Sequence, residues 1–152
     1  MRGCSTAASA RAPAPRPERH AAGTVLHTRH YTLEEASALL PRVAELIERM
    51  RSARDRLGDR EAREALAEAG RTNGGGKPGR TVSEGFLELR ESMLELRRLE
   101  VVLRDLDRGL VDFPALRHGR EVYLCWQDGE DGIGFWHEPD AGFAGRRRLD
   151  DG

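Results

Sequence analysis

The sequence predicts an α+β fold: a long antiparallel helical hairpin covered by a C-terminal β-hairpin. Three observations carry that reading. Two stretches, opening at Thr32 and Thr81, repeat apolar residues at three- and four-residue steps, the period of an amphipathic helix. Between them lies a glycine-rich segment, 70–79 (GRTNGGGKPG), whose three consecutive glycines lose too much backbone entropy on ordering to remain helical. Finally, most of the scarce aromatic residues gather near the C-terminus, in two short apolar runs separated by Asp128-Gly-Glu-Asp-Gly132, the pattern of two paired strands and a turn.

The bulk numbers agree. A chain of 152 residues allows one domain, and 34% charged against 38% hydrophobic residues suits long solvated helices better than a thick layered core. A formal net charge of -1 supplies no whole-protein field to attract nucleic acid or an anionic membrane. Two cysteines, Cys4 and Cys125, make no disulfide framework. No apolar run approaches the roughly 20 residues that span a bilayer. A reducing, cytoplasmic setting is the expectation.

Residues 1–23, built from Ala, Arg and Pro without apolar periodicity, read as a disordered leader. They lack the apolar core of a secretory signal. Residues 24–148 form the single α+β domain and 149–152 a tail. Residues 24–30 alternate weakly, so 24–28 is a candidate third strand of the sheet. Thr32-Leu-Glu-Glu35 fits a capping box, in which the Thr hydroxyl and the Glu carboxylate satisfy each other's backbone N–H. The seam of the first helix is Leu33, Ala36, Leu40, Val43, Ile47, Met50 and Leu57, with Pro41 expected to kink it and Glu45 and Arg49 paired on the outer face. Gly58 ends this helix unless the strong helix formers of 61–69 extend it.

Gly74-Gly-Gly-Lys77 follows a helix and precedes Pro78, so it departs from the phosphate-binding loop pattern and reads as a linker. Thr81-Val-Ser-Glu84 repeats the capping box. The second seam is Val82, Phe86, Leu89, Met93 and Leu96, continued by Leu99, Val102, Leu103, Leu106 and Leu110, with Leu87, Leu94 and Val101 alongside. So broad an apolar face is expected to touch two things. Glu100 is expected to turn outward and pair with Arg104, and Gly109 to stop the helix in a left-handed conformation.

Asp112-Phe-Pro114 then makes an extended turn, because the residue before proline is pushed from the α region. With Asp128–Asp131 as a four-residue loop, Trp126 opposes Ile133, Leu124 opposes Phe135 and Val122 opposes His137, all on one face. Tyr123 with Trp136, and Cys125 beside Gly134, take the other.

Tyr31-Thr-Leu-Glu-Glu-Ala36 with Leu40-Pro41, Gly109-Leu-Val-Asp-Phe-Pro-Ala115, Gly119-Arg-Glu-Val-Tyr-Leu-Cys-Trp126, and Trp136-His137 with Ala141-Gly-Phe-Ala-Gly-Arg146 resemble a bacterial family, the domain of unknown function 2203. The resemblance covers about residues 29–148. It implies no reaction, cofactor or catalytic residue. The leader and the glycine-rich insert look peculiar to this chain, and Asp131-Gly-Ile-Gly134 is more glycine-rich than the family's turn.

Polar residues in and beside the hairpin are the candidate ligand-binding set: Asp112, Arg120, Glu130, His137, Asp140 and Arg146, with Glu138 next to them. His137-Glu138-x-Asp140 offers donor atoms, but its spacing matches no metal signature, so no metal or other cofactor is assigned. His27 or His30 would come alongside if residues 24–28 joined the sheet. Cys125, between Leu124 and Trp126, reads as a small buried hydrophobe rather than a nucleophile. Arg146-Arg-Arg148, diluted by Asp150 and Asp151 and without interleaved aromatics, reads as a solvated tail, so nucleic acid is not an expected partner. The expected function is a small interaction module that self-associates, as a dimer, through helix faces its small sheet cannot cover. The rival reading is a metal- or small-molecule-binding enzyme using the polar set.

Overall fold

The computed structural model describes residues 25–58 and 77–151, with side chains for 25–58 and 84–150. The leader, the 61–69 extension and residues 70–76 of the glycine-rich loop lie outside the described residues. Helix α1 spans Leu33–Gly58 and helix α2 spans Lys77–Arg98. Five strands follow: β1 Val102–Asp105, β2 Leu110–Arg117, β3 Arg120–Gln127, β4 Phe135–His137 and β5 Arg147–Arg148. They form one antiparallel sheet in the order β1-β2-β3-β4-β5. No described helix is long and apolar enough to cross a membrane.

The first helix forms as its sequence dictates. Glu35 N–H donates to the Thr32 hydroxyl (3.1 Å) while the Glu35 carboxylate accepts from the Thr32 N–H (2.8 Å), the reciprocal capping box. Its buried face is Ala36, Val43, Leu46, Ile47, Met50 and Ala53. Leu33 is exposed, and the helix runs through Pro41 unbroken. The anticipated Glu45–Arg49 pair is replaced by Arg42 with Glu45 (2.7 Å), and by Arg42 with Glu95 (2.7 Å) and Arg49 with Glu91 (4.0 Å) across to α2. Together with Arg56–Glu88, these bridges run in opposite senses along the two helices, so the hairpin is antiparallel.

The start and end of α2 correct the sequence reading. The helix begins at Lys77, so Thr81 lies inside it rather than at its cap, and the last residues of the glycine-rich segment are helical. Pro78 suits a first turn, where its missing N–H has no helical acceptor in any case. The apolar period expected to carry the helix to Leu110 stops at Arg98. There the Glu100 N–H donates to the Arg97 carbonyl (2.9 Å) and the Val101 N–H to the Leu96 carbonyl (3.0 Å), with Glu100 at φ 54. This is a Schellman stop, with glutamate where glycine is usual. Glu100 holds that conformation because its carboxylate accepts from the Thr28 N–H (2.9 Å), the Thr28 hydroxyl and the Arg29 N–H (3.1 Å), not from Arg104. Beyond it, Val102 and Leu103 belong to β1 and Leu110 to β2. Gly109 sits instead in the β1–β2 turn at φ +61, where a Cβ would lie 2.5 Å from that of Asp128.

Residues 25–32 pass beside the sheet as irregular chain, so the candidate third strand at 24–28 does not form in its described part. The Tyr31 N–H donates to the Pro114 carbonyl (2.7 Å), and its hydroxyl to the Leu99 carbonyl (2.6 Å). Because N and C=O of a strand residue point the same way, the missing N–H of Pro114 also faces Tyr31 and removes no bond to β3. Proline is therefore tolerated inside β2, in place of the expected turn.

One face of the sheet carries Val111, Phe113 and Ala115 from β2 against Trp126, Leu124 and Val122 from β3. This face joins Val43, Leu46, Ile47 and Met50 of α1 in a single core, with Ile133 entering from the β3–β4 loop. Arg51 ties the layers at one end, donating to the carbonyls of Leu106 (3.0 Å) and Asp107 (2.9 Å) and to Asp128 (2.7 Å).

Candidate functional site

The register of β4 on β3 decides what lies on the other face. Tyr123 opposes His137, Leu124 opposes Trp136 and Cys125 opposes Phe135, one residue away from the pairing expected from a four-residue loop. Every β4 side chain is consequently on the face opposite to the expected one. The cause is the longer connection. The Glu130 N–H closes a turn on the Gln127 carbonyl (3.0 Å), the Glu130 carboxylate accepts from the Gln127 N–H (2.9 Å), and Ile133 folds into the core as loop rather than strand.

In β2, Asp112 lies opposite Cys125. The shifted register brings His137 to them. Asp112, Cys125 and His137 are 1%, 1% and 2% exposed, and their donor atoms lie within 4.8 Å of one another. His137 Nε2 is 3.0 Å from Asp112 Oδ2, and its Nδ1 is 2.8 Å from the Glu138 carbonyl. Arg104, two residues along β1 from Val102, which opposes Asp112, lies on this face and donates through Nε to the same Oδ2 at 2.7 Å. Asp112 Oδ1 has no hydrogen-bond partner, although the Cys125 thiol lies against this carboxylate. Burial first, then the Asp112 charge, pushes the Cys125 thiol up to about 12, so it stays protonated and is no nucleophile at neutral pH.

The six anticipated residues divide into three pairs. Asp112 and His137 touch in the buried cluster. Arg146 bonds both Glu130 carboxylate oxygens at 2.8 and 2.9 Å, while its guanidinium lies 4.1 Å over Phe135 and 4.9 Å over Phe143, clasping the β3–β4 turn to the C-terminal segment. Arg120 and Asp140 are exposed and line a separate cavity of about 840 Å³ with Leu116, Trp136 and Glu138. Arg147 and Arg148, read as solvated tail, form strand β5 on β4.

Sequence reasoning missed Arg104 because the helical period ran past its true end. It missed Cys125 as a neighbour of His137 because of the register. His27 and His30 do come alongside, without a strand: His27 Nε2 is 2.8 Å from the Tyr123 hydroxyl and His30 Nε2 is 3.1 Å from Glu121.

Two carboxylates hold residues 26–29 in place, and both titrate below the usual range. Hydrogen bonds from the Thr28 side chain, then the Arg29 N–H, lower Glu100. Burial pulls Glu121 upward, but bonds from Leu26, His30 and His27 outweigh it and leave the group lowered. Since the folded values are depressed, the docked segment binds fewer protons than the released one. Its attachment is complete above the ordinary carboxylate value of 4.5 and is lost as pH falls below that through the lowered values. The amides of Leu26, His27 and Thr28 are expected to be protected at pH 5 and, on further acidification, to lose protection relative to their intrinsic exchange rates before the sheet amides do. Simultaneous loss of both would contradict this order.

A second surface lies on α2. Leu96 is buried and Leu89 partly buried against the core, together with buried Gly85 and Ser92. Phe86 and Met93, assigned to the seam, instead point away: Phe86 is 59%, Leu87 51%, Met93 49% and Leu94 37% exposed. The spacing 85, 89, 92, 96 faces α1, and 86, 87, 93, 94 makes a stripe on the outer side.

No curated protein and no solved structure matches the chain. A family described as "Uncharacterized conserved protein (DUF2203)" matches residues 29–149, which include both described helices and all five described strands. The chain therefore belongs to the DUF2203 family of uncharacterized conserved proteins.

Proposed function

We propose that this protein is a small interaction module that self-associates through the outer side of α2. The observation that supports it is the stripe of Phe86, Leu87, Met93 and Leu94, four large apolar side chains left 37–59% exposed on one helix. Large apolar side chains gathered on one side of a helix in a charge-rich chain mark a contact surface rather than chance exposure. It continues into an apolar groove of about 520 Å³ lined by Leu26, Met93, Leu96, Val102 and Leu103. A second copy suits it. Exposed Arg90 and Arg97 lie within the stripe and exposed Glu84 and Glu91 along its edge. An antiparallel copy whose two-fold axis passes between residues 90 and 91 sets Leu87 against Leu94, Arg90 against Glu91 and Glu84 against Arg97. We infer a cytoplasmic setting from the unpaired, buried Cys125, which suits a reducing compartment.

Sedimentation across a wide concentration range is expected to show a dimer. The double substitution Leu87→Glu with Leu94→Glu should convert it to monomer, with helix content unchanged, because like charges then face each other in both contacts that flank the two-fold axis. A wild-type chain that sediments only as monomer would remove this reading.

A further inference from the structure

We propose that Asp112, Cys125 and His137 form a binding site for one divalent cation of the zinc class, independent of how α2 associates. The first argument is the donor set. A carboxylate, a thiolate and an imidazole are a borderline-soft trio that suits zinc and its neighbours and not magnesium or calcium, which take oxygen ligands. Their donor atoms are already within 4.8 Å of one another, on three adjacent strands of one sheet, so little reorganisation is needed to close around an ion.

The second argument is the orphaned oxygen. Asp112 is 1% exposed, and its Oδ1 has no N–H or O–H partner; only the Cys125 thiol, a weak donor, lies against the carboxylate, an arrangement that costs stability unless something else satisfies it. Oδ2 accepts from Arg104 and faces His137 Nε2, which leaves Oδ1 as the open ligand position.

The histidine supplies a third. His137 Nδ1 faces the Glu138 carbonyl at 2.8 Å and therefore carries a hydrogen. Nε2 then faces the Asp112 carboxylate at 3.0 Å, an approach of two lone-pair atoms unless a proton or a cation lies between them. Imidazole that donates one N–H to a backbone carbonyl and aims the other nitrogen at the site is how metal-bound histidines are oriented.

Charge gives the fourth. A dipositive ion with one carboxylate, one thiolate and a neutral imidazole sums to zero, so the buried donors carry no net charge with it, while Arg104, whose side chain is 41% exposed, keeps its charge toward solvent. Binding forms metal–oxygen, metal–sulfur and metal–nitrogen bonds and releases the thiol proton of Cys125 together with any proton held between Nε2 and Oδ2. Nothing is oxidised or reduced. Among the described residues three side chains offer ligands, so the fourth tetrahedral position falls to water or a small ligand.

The test uses the full chain carrying Cys4→Ser, so that any metal–sulfur signal must come from Cys125. The metal-free protein is titrated with Co2+ alone. The expected result is saturation at one ion per chain with a sulfur-to-cobalt charge-transfer band, displaced by Zn2+. Cys125→Ser should abolish the band. His137→Gln should weaken affinity by more than the roughly 10–100-fold that outer-shell changes cost. Should these variants not fold, the Cys4→Ser chain itself decides: bound Co2+ must shift the ring protons of His137 far more than those of exposed His118. Absence of saturable uptake, a band that persists in Cys125→Ser, or cobalt shifts centred on His118 would each overturn the site.

Discussion

Replacing Phe113 with alanine is expected to cost about 3–5 kcal/mol, the range for truncating a buried aromatic, and to lower the melting temperature by on the order of 15 °C. Phe113 is completely buried at the middle of β2, between the sheet and α1. Its ring meets Tyr31 edge-on, with centroids 5.6 Å apart and planes at 85°. Tyr31 in turn bonds the Leu99 and Pro114 carbonyls, so the cavity opens where the sheet, the N-terminal segment and the end of α2 join. Relaxation into that cavity is limited, because Tyr31 cannot move inward without giving up both bonds. Phe113→Leu keeps most of the volume and should cost under about 1.5 kcal/mol. Chemical denaturation of the two variants separates lost packing from lost shape. Equal and small losses would mean the three elements are less tightly joined than the core cluster implies.

The parts of this fold legible in the sequence were those set by local chemistry. The Thr32–Glu35 box and the face bearing Ala36, Val43, Ile47 and Met50 follow from neighbours within one helix, and both form as read. Val122–Trp126 is a strand for equally local reasons. What could not be read depends on distant partners. Periodicity alone could not distinguish Leu99, Val102, Leu103 and Leu106 as helix from turn and strand, because the stop is made by Glu100 held in a left-handed conformation by Thr28 and Arg29, about seventy residues earlier. The β4 register turned on how many residues the loop absorbs, and the Glu130 clasp set that number. A one-residue slip was enough to hide the relation of Cys125 to His137, while Asp112 and His137 had been named separately for their chemistry. The wide apolar face of α2 was visible as such, but a single sequence does not say which of its two sides meets α1.

Asp112→Ala is the second large loss to expect, about 3–5 kcal/mol, and it differs in kind from the first. No large cavity forms. Instead the substitution takes the shared acceptor from Arg104 Nε and leaves His137 Nε2 buried without its partner. His137 is 2% exposed and opposite Tyr123 in the register, with ring centroids 5.4 Å apart, so it cannot turn to water. Arg104 has an alternative, because its side chain is 41% exposed and already lies 5.0 Å over the Tyr123 ring. The unpaired histidine, not the arginine, should dominate the loss. Two comparisons check this. Arg104→Met, which leaves the Asp112–His137 contact intact, should cost no more than about 1.5–3 kcal/mol, the worth of a charge-assisted hydrogen bond. Adding His137→Phe to Asp112→Ala should recover part of the stability, since replacing both partners of a buried polar pair by apolar groups removes the desolvation penalty that removing one creates. A double variant less stable than Asp112→Ala alone would show that the pair is held by more than its own charge and geometry.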